Sequence, residues 1–264
     1  MSLSTDVYGV VLAAGRGRRL APYTDAVPKE LLPIGDKPVI QYCVEALKGA
    51  GVKRIFIVLS QGKDAIIEYL KDGSRFDVRI AYLYQNLESG IGTAKAIEAA
   101  RGWVYGDFIV MYGDTFFHPS DFVSSMLSFH YAKYSKATIG LYHIVGDPRR
   151  FGIVRIDSSC RILELVERPP ASILGRFIVD DGYLVNSGPL IFSQDVFRYI
   201  ERTGLSRDGE YWITESIRLM IADDLPVYGY RIPNSVFWRD VGTQESRLEA
   251  ERYALEKLNP WLQG

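Results

Sequence analysis

The chain has 264 residues, 47% of them hydrophobic, enough to bury the core of one large α/β domain. A net charge of −1 provides no general basic field, which argues against a nucleic-acid partner. Two cysteines, Cys43 and Cys160, form no C-x-x-C pair and suggest neither a disulfide framework nor a zinc site.

Residues 7–12 are an apolar run that predicts a buried strand almost at the N-terminus. This start leaves no signal-peptide pattern, and no run of about 18 apolar residues offers a membrane span, so a cytoplasmic location is expected. The loop that follows, up to Pro33, holds Gly15, Gly17, Arg16, Arg18, Arg19, Lys29, Pro22 and Pro28. Glycines let backbone N–H groups approach an anion, the cations supply charge, and the prolines restrict the loop before a ligand arrives. A dinucleotide fingerprint would need a third glycine where Leu20 stands, and the Walker G-K-[ST] is absent. The loop is a phosphate cradle of another kind.

Residues 38–47 predict a helix ended by Gly49-Ala50-Gly51, and 54–60 a buried strand. Residues 63–71 read as a helix, 78–84 as a strand, 92–101 as an Ala-rich helix, and 108–112 as a buried strand ending in Gly113-Asp114. This βαβαβαβ order predicts an α/β fold with a parallel sheet core and helices on both faces. Further on, 119–132, 213–222 and 244–258 read as helices, the last charged and amphipathic. Residues 138–145, 152–156, 162–166 and 183–192 read as strands, implying a mixed sheet with an antiparallel, lid-like part. No repeat or long linker divides the chain. Residues 1–264 therefore read as a single domain, its front half nucleotide-binding and its back half substrate-binding.

Asp114 stands at a strand's carboxyl end, where open α/β sheets bind ligands. Asp240 lies between an apolar pair and a Gly-Thr turn. Either alone reads equally well as a cap or turn residue; together, beside a phosphate loop, they form an oxygen donor pair suited to Mg2+. His118, His130 and His143 are scattered without metal spacing, and Cys43 falls on the apolar face of its helix.

An ordered set of motifs carries a resemblance. L-A-A-G-x-G-x-R-L-x-P-x-T-x-x-x-P-K runs from Leu12 to Lys29. It is followed by Gly113-Asp114, F-G-I-V from Phe151, E-R-P from Glu167, N-S-G from Asn186, G-E-Y-W-I-T-E from Gly209 and W-x-D-V-G-T from Trp238. Together these resemble the sugar-1-phosphate nucleotidylyltransferases, in particular the glucose-1-phosphate thymidylyl- and uridylyltransferases, over nearly the whole chain. The resemblance implies a Rossmann-like nucleotide-diphospho-sugar transferase fold, a mixed, mostly parallel sheet flanked by helices. It implies that Leu12, Ala13, Ala14, Gly15 and Gly17 hold the nucleotide, with Arg19 on the departing pyrophosphate and Lys29 neutralising phosphate charge. Asp114 and Asp240 match the Mg2+ carboxylates, and Gly152, Glu167, Asn186 and Gly188 match positions lining the sugar. Trp238 has two readings, beside the reacting phosphates or in the core.

The chain also departs from the family pattern. Arg18 stands where many relatives have threonine. Arg168 replaces a lysine that contacts the sugar phosphate, and a guanidinium fork is not interchangeable with an ammonium. Gln85 resembles the base-reading glutamine and Gly92-Thr93 the paired turn, but the interval between them is longer than usual, so a plain loop glutamine also fits. The resemblance does not include the left-handed β-helix domain appended in some relatives.

The reaction implied is NTP plus sugar 1-phosphate giving NDP-sugar and pyrophosphate, with dTTP or UTP and glucose 1-phosphate as the expected pair. A glutamine amide suits the N3–H and O4 edge of a pyrimidine. Mannose-1-phosphate guanylyltransferase, a phosphocholine-type acceptor and a non-catalytic regulatory subunit are the alternatives. The partners implied are these substrates, with no nucleic acid and no membrane. Relatives are often dimers or tetramers, which leaves a homo-oligomer open.

Overall fold

The structure is a computed structural model and describes residues 7–258; residues 1–6 and 259–264 of the single-domain reading lie outside the described residues. The front half runs β1 (Tyr8–Ala13), α1 (Tyr23–Ala26), β2 (Pro33–Ile34), β3 (Lys37–Pro38), α2 (Val39–Gly49), β4 (Arg54–Leu59), α3 (Asp64–Leu70), β5 (Arg79–Tyr84), α4 (Thr93–Glu98) and β6 (Phe108–Tyr112). The back half runs β7 (Thr115–His118), α5 (Phe122–Ala132), β8 (Ala137–Ile144), β9 (Gly152–Ile156), β10 (Ile162–Glu167), β11 (Ile178–Val179), β12 (Gly182–Phe192), α6 (Val196–Glu201), α7 (Ile213–Ala222), β13 (Val227–Arg231), β14 (Phe237–Asp240) and α8 (Gln244–Lys257).

Every residue of β1 is buried because the strand is central, paired in parallel with β4 on one side and β6 on the other. Its side chains alternate between two cores: Tyr8, Val10 and Leu12 face one, Val11 and Ala13 the other. Residues of α4, α6 and α7 cover the first face; those of α2, α3 and α5 cover the second. This is the predicted α/β class, a ten-stranded mixed sheet between helical layers.

The four front-half strands lie in the order β5-β4-β1-β6, all parallel. The chain winds from β1 outward to β5, then returns to the other side of β1. Strand order thus reverses between β1 and β6, and open sheets bind ligands beyond the carboxyl ends at such a reversal. β12 continues the sheet antiparallel to β6. Its register against β8 shifts between Asn186 and Leu190, so its first part joins β8 and β9 while its last part joins β6 and β8.

Six strands were not anticipated: the two-residue β2, β3 and β11, and the longer β7, β13 and β14. β7 and β14 form a separate antiparallel pair that sets Asp240 opposite Thr115. Against the expected amphipathic last helix, α8 buries only small residues, Ser246, Ala250 and Ala254, while Leu248 and Leu255 are exposed. The predicted helix 92–101 is shorter, because the chain turns after Glu98.

Candidate active site

At the reversal between β1 and β6, the Gly113 N–H donates to the Leu12 carbonyl at 2.9 Å and draws the two strand ends together. Asp114 follows immediately. The β7–β14 ladder then brings the second carboxylate: Asp240 pairs with Thr115, and the Val241 N–H donates to the Asp114 carbonyl at 2.7 Å. The cradle loop folds back over this point. Arg19 rides on the 3-10 turn Arg18–Leu20 and Lys29 on the turn Lys29–Leu31. Lys29 Nζ donates to Asp114 Oδ2 in an ion pair with both side chains largely covered. Gly15 leaves room for that ammonium, since a Cβ there would stand 3.2 Å from it. The Arg19 guanidinium reaches the backbone beside Asp240: a Cβ on Gly242 would lie 2.9 Å from Arg19 Nη2 and 3.4 Å from Asp240 Oδ2.

A cavity of about 260 Å3 opens here. Of the residues singled out in the sequence, Arg19, Thr93, Asp114, Gly152, Glu167, Arg168, Asn186, Trp238 and Asp240 line it. Leu12 and Ala13 end β1; Ala14, Gly15 and Gly17 form the loop; Lys29 reaches the site through Asp114. Gly188 sits beside Tyr112, a lining residue. Gln85 is buried and its Nε2 donates to the Gly90 carbonyl at 3.3 Å, so here it braces its own loop. Gly92 adjoins that loop and abuts the backbone of Tyr211. Arg16 and Arg18 are exposed outside the cavity lining.

Sequence reasoning missed three lining side chains of chemical interest. Arg150, in the R-R before F-G-I-V, places Nη2 3.8 Å from Asp240 Oδ1. Glu210 and Trp212 belong to the G-E-Y-W-I-T-E motif but were given no role. Arg168 pairs with Asp208 and lies 5.0 Å from the centre of the Trp212 ring. Trp238 packs as its core reading expects, 4% exposed against Tyr142 and Phe151, and also borders the cavity.

Burial alone would lower the Lys29 pKa, but the charges of Asp114 and Glu30 outweigh it and raise the value. Burial would likewise raise Asp114, yet the Lys29 charge and hydrogen bond hold that carboxyl below its ordinary range. Asp240 is raised, first by burial and further by the like charge of Asp114, against the pull of Arg150. Burial also raises Glu167. Asp240 Oδ1 and Trp238 Nε1 are buried without hydrogen-bond partners. Both belong to residues that line the cavity, and a buried polar atom without a protein partner calls for a physical reason such as a bound ion or water. Two adjacent carboxylates, one with an unmet oxygen, fit a hard cation that takes few protein ligands and completes its shell with water and phosphate. No third His, Cys, Asp or Glu joins them among the described residues.

Residues 8–257 match the nucleotidyl transferase family. The chain is 32% identical over 257 residues to the bifunctional protein GlmU of Methanocaldococcus jannaschii, covering 97% of this chain and 56% of that protein. It is 35% identical over 255 residues to the low-salt glycan biosynthesis nucleotidyltransferase Agl11 of Haloferax volcanii, covering 94% and 66%. It is 31% identical over 257 residues to a glucose-1-phosphate thymidylyltransferase of Streptomyces griseus, covering 97% and 68%. The chain thus spans about half to two thirds of the length of these curated relatives. A Bacillus anthracis structure in complex with a sucrose, provisionally described as a glucose-1-phosphate thymidylyltransferase, superposes with a TM-score of 0.81 at 26% identity over 94% of this chain and 95% of that one. A UDP-glucose pyrophosphorylase complexed with UDP-glucose shares the fold, with a TM-score of 0.82 at 23% identity over 95% and 99%. The chain belongs to the nucleotidyl transferase family, among the sugar-1-phosphate nucleotidylyltransferases.

Proposed function

We propose that the chain joins a pyrimidine nucleoside triphosphate, dTTP or UTP, to glucose 1-phosphate, releasing pyrophosphate. The observation that carries this reading is the meeting of Arg19, Lys29, Asp114 and Asp240 at the strand reversal, at one end of a cavity whose other walls include Glu167, Arg168 and Asn186. The name of the Streptomyces griseus relative favours thymidine and glucose; the GlmU and Agl11 relatives keep other pairs in play.

The sugar phosphate is mostly dianionic at neutral pH, since its second pKa is about 6. It needs no strong general base. One of its phosphate oxygens attacks the α-phosphorus of the NTP in line, the bond from that phosphorus to the bridging oxygen of the β-phosphate breaks, and pyrophosphate leaves. Catalysis is then positioning and electrostatics. Arg19 and Lys29 bear the charge of the triphosphate and of the leaving group. Trp238 would pack beside the reacting phosphates. Asp114 and Asp240 would hold Mg2+, which supplies charge neutralisation at the phosphates. The side chains of Glu167, Arg168 and Asn186 would receive the sugar phosphate. Gln85 reads the base in this account, with its amide released from Gly90.

The test is a matrix of NTPs against glucose, mannose and N-acetylglucosamine 1-phosphates, scored by the nucleotide sugar formed. Fastest turnover with dTTP or UTP and glucose 1-phosphate supports the reading; a preference for GTP with mannose 1-phosphate would replace it. Isolation of a nucleotidylated protein after incubation with NTP alone would contradict direct transfer.

A further inference from the structure

The chemistry above gives Trp212 no part, yet this indole lines the cavity and is held from several sides. Its backbone neighbours are fixed: the Tyr211 N–H and carbonyl are bonded to Ile91 and Ala94, and the Ile213 N–H donates to Thr93 Oγ1. Its own Nε1 donates to Glu210 Oε2 at 3.3 Å. Over its ring, 5.0 Å from the centre, stands the Arg168 guanidinium. Arg168 also lines the cavity, and among the described residues its guanidinium donates to Asp208 alone, through Nη1.

Stability does not account for this arrangement. The Arg168 and Asp208 side chains are each about half exposed, and ion pairs in such surroundings contribute little. Arg168 also has a φ of 44°, in the left-handed region that costs a long L side chain free energy. Backbone strain of this kind persists where the surrounding structure fixes it, and it clusters at ligand clamps. A long, flexible cation at a cavity wall must lose rotamer freedom before it can grip a phosphate. A planar guanidinium lying over an aromatic ring loses part of that freedom before the ligand arrives. With Nη1 on Asp208 and the ring beneath, the rest of the fork is left for an anion in the cavity.

We propose that Trp212 is a positioning residue whose ring holds the Arg168 guanidinium ready for the phosphate of the sugar 1-phosphate. The proposal rests on Arg168 receiving that phosphate, as read above.

The test is a kinetic cycle on the full chain comparing wild type, W212L, R168A and W212L/R168A, with the sugar 1-phosphate that the wild type uses fastest in the matrix above. W212L keeps apolar bulk but removes the aromatic face. It should raise the KM for sugar 1-phosphate about fivefold or more, with the KM for NTP within about twofold of wild type. In the R168A background the same change should alter the KM for sugar 1-phosphate by less than about twofold, because its effect runs through Arg168. W212F restores a ring without the indole N–H and should stay within about twofold of wild type. Circular dichroism monitors folding. Should W212L not fold, W212M, unbranched and adaptable, takes its place in the cycle. An equal loss in wild-type and R168A backgrounds overturns the proposal, as does a normal W212L beside an impaired R168A. A W212F as impaired as W212L also overturns it, since the ring would then not be what matters. An R168A variant with unchanged kinetics would instead overturn the reading of Arg168 itself, and the proposal with it.

Discussion

Gly92 offers a sharp test of how the two halves of the site are joined. It precedes α4 with φ of 117°, a conformation that L side chains rarely adopt. A Cβ there would lie 2.4 Å from the Tyr211 carbonyl oxygen and 2.6 Å from its nitrogen. Those atoms bolt the loop before α4 to the segment that carries Glu210 and Trp212. The Tyr211 N–H donates to the Ile91 carbonyl at 2.8 Å, and the Ala94 N–H to the Tyr211 carbonyl at 2.9 Å. The Ile213 N–H donates to Thr93 Oγ1, also at 2.9 Å. Gly92→Ala cannot keep this geometry. The strained backbone costs about 1–3 kcal/mol, and each displaced backbone hydrogen bond about 0.5–1.5 kcal/mol. With two such bonds displaced, the sum of roughly 2–6 kcal/mol is a large share of a typical stability of about 5–15 kcal/mol. Thr93 lines the cavity from the loop, and Glu210 and Trp212 line it from the wall. The KM for both substrates should therefore rise together. Urea unfolding and two-substrate kinetics read the two effects. An unchanged unfolding midpoint with both KM values within about twofold of wild type would refute the reasoning.

Gly152→Ala would set a Cβ 2.8 Å from Glu167 Oε2 and push that carboxylate aside. The KM for sugar 1-phosphate should rise about tenfold with that for NTP unchanged, and equal shifts in both would remove Glu167 from the sugar side. Burial pushes the Cys43 thiol pKa up and seals it from solvent, whereas Cys160 is half-buried. A thiol reagent should label Cys160 in the native protein and Cys43 only after unfolding; native labelling of Cys43 would contradict the packing of α2. Asp240 has a raised pKa and Asp114 a lowered one, so as the pH falls Asp240 takes up its proton first. Activity should fall on the acid side beginning above the ordinary carboxyl range, and added Mg2+ should move that fall to lower pH by competing with the proton. A fall insensitive to Mg2+ would separate Asp240 from the metal.

The parallel half was legible because its strands are buried on both faces and announce themselves as apolar runs. The predicted span 108–112 matches β6, and the span 213–222 matches α7. The β7–β14 pair was not legible. Each strand is four residues long, its partner lies more than a hundred residues away, and Asp240 looked locally like part of a turn. Yet that pair brings the two carboxylates side by side. The donors of the site could be named from residue type and motif, but their meeting depends on a long-range ladder. The buried Glu30–Lys63 ion pair was hidden for the same reason: nothing local to K-E-L or to Gly62-Lys63 indicates that the two charges share a dry pocket. β13 carries a central glycine, Gly229, which weakens its strand signal.

The account stands on Asp114 and Asp240 acting together on a metal-bound triphosphate. The most direct test is pyrophosphate release from dTTP or UTP with glucose 1-phosphate, measured for wild type, Asp114→Asn and Asp240→Asn with Mg2+ and with a chelator. The account predicts turnover that the chelator abolishes and that each substitution lowers roughly 10²–10³-fold. Near-normal turnover in both variants, or full activity without a divalent cation, would contradict it.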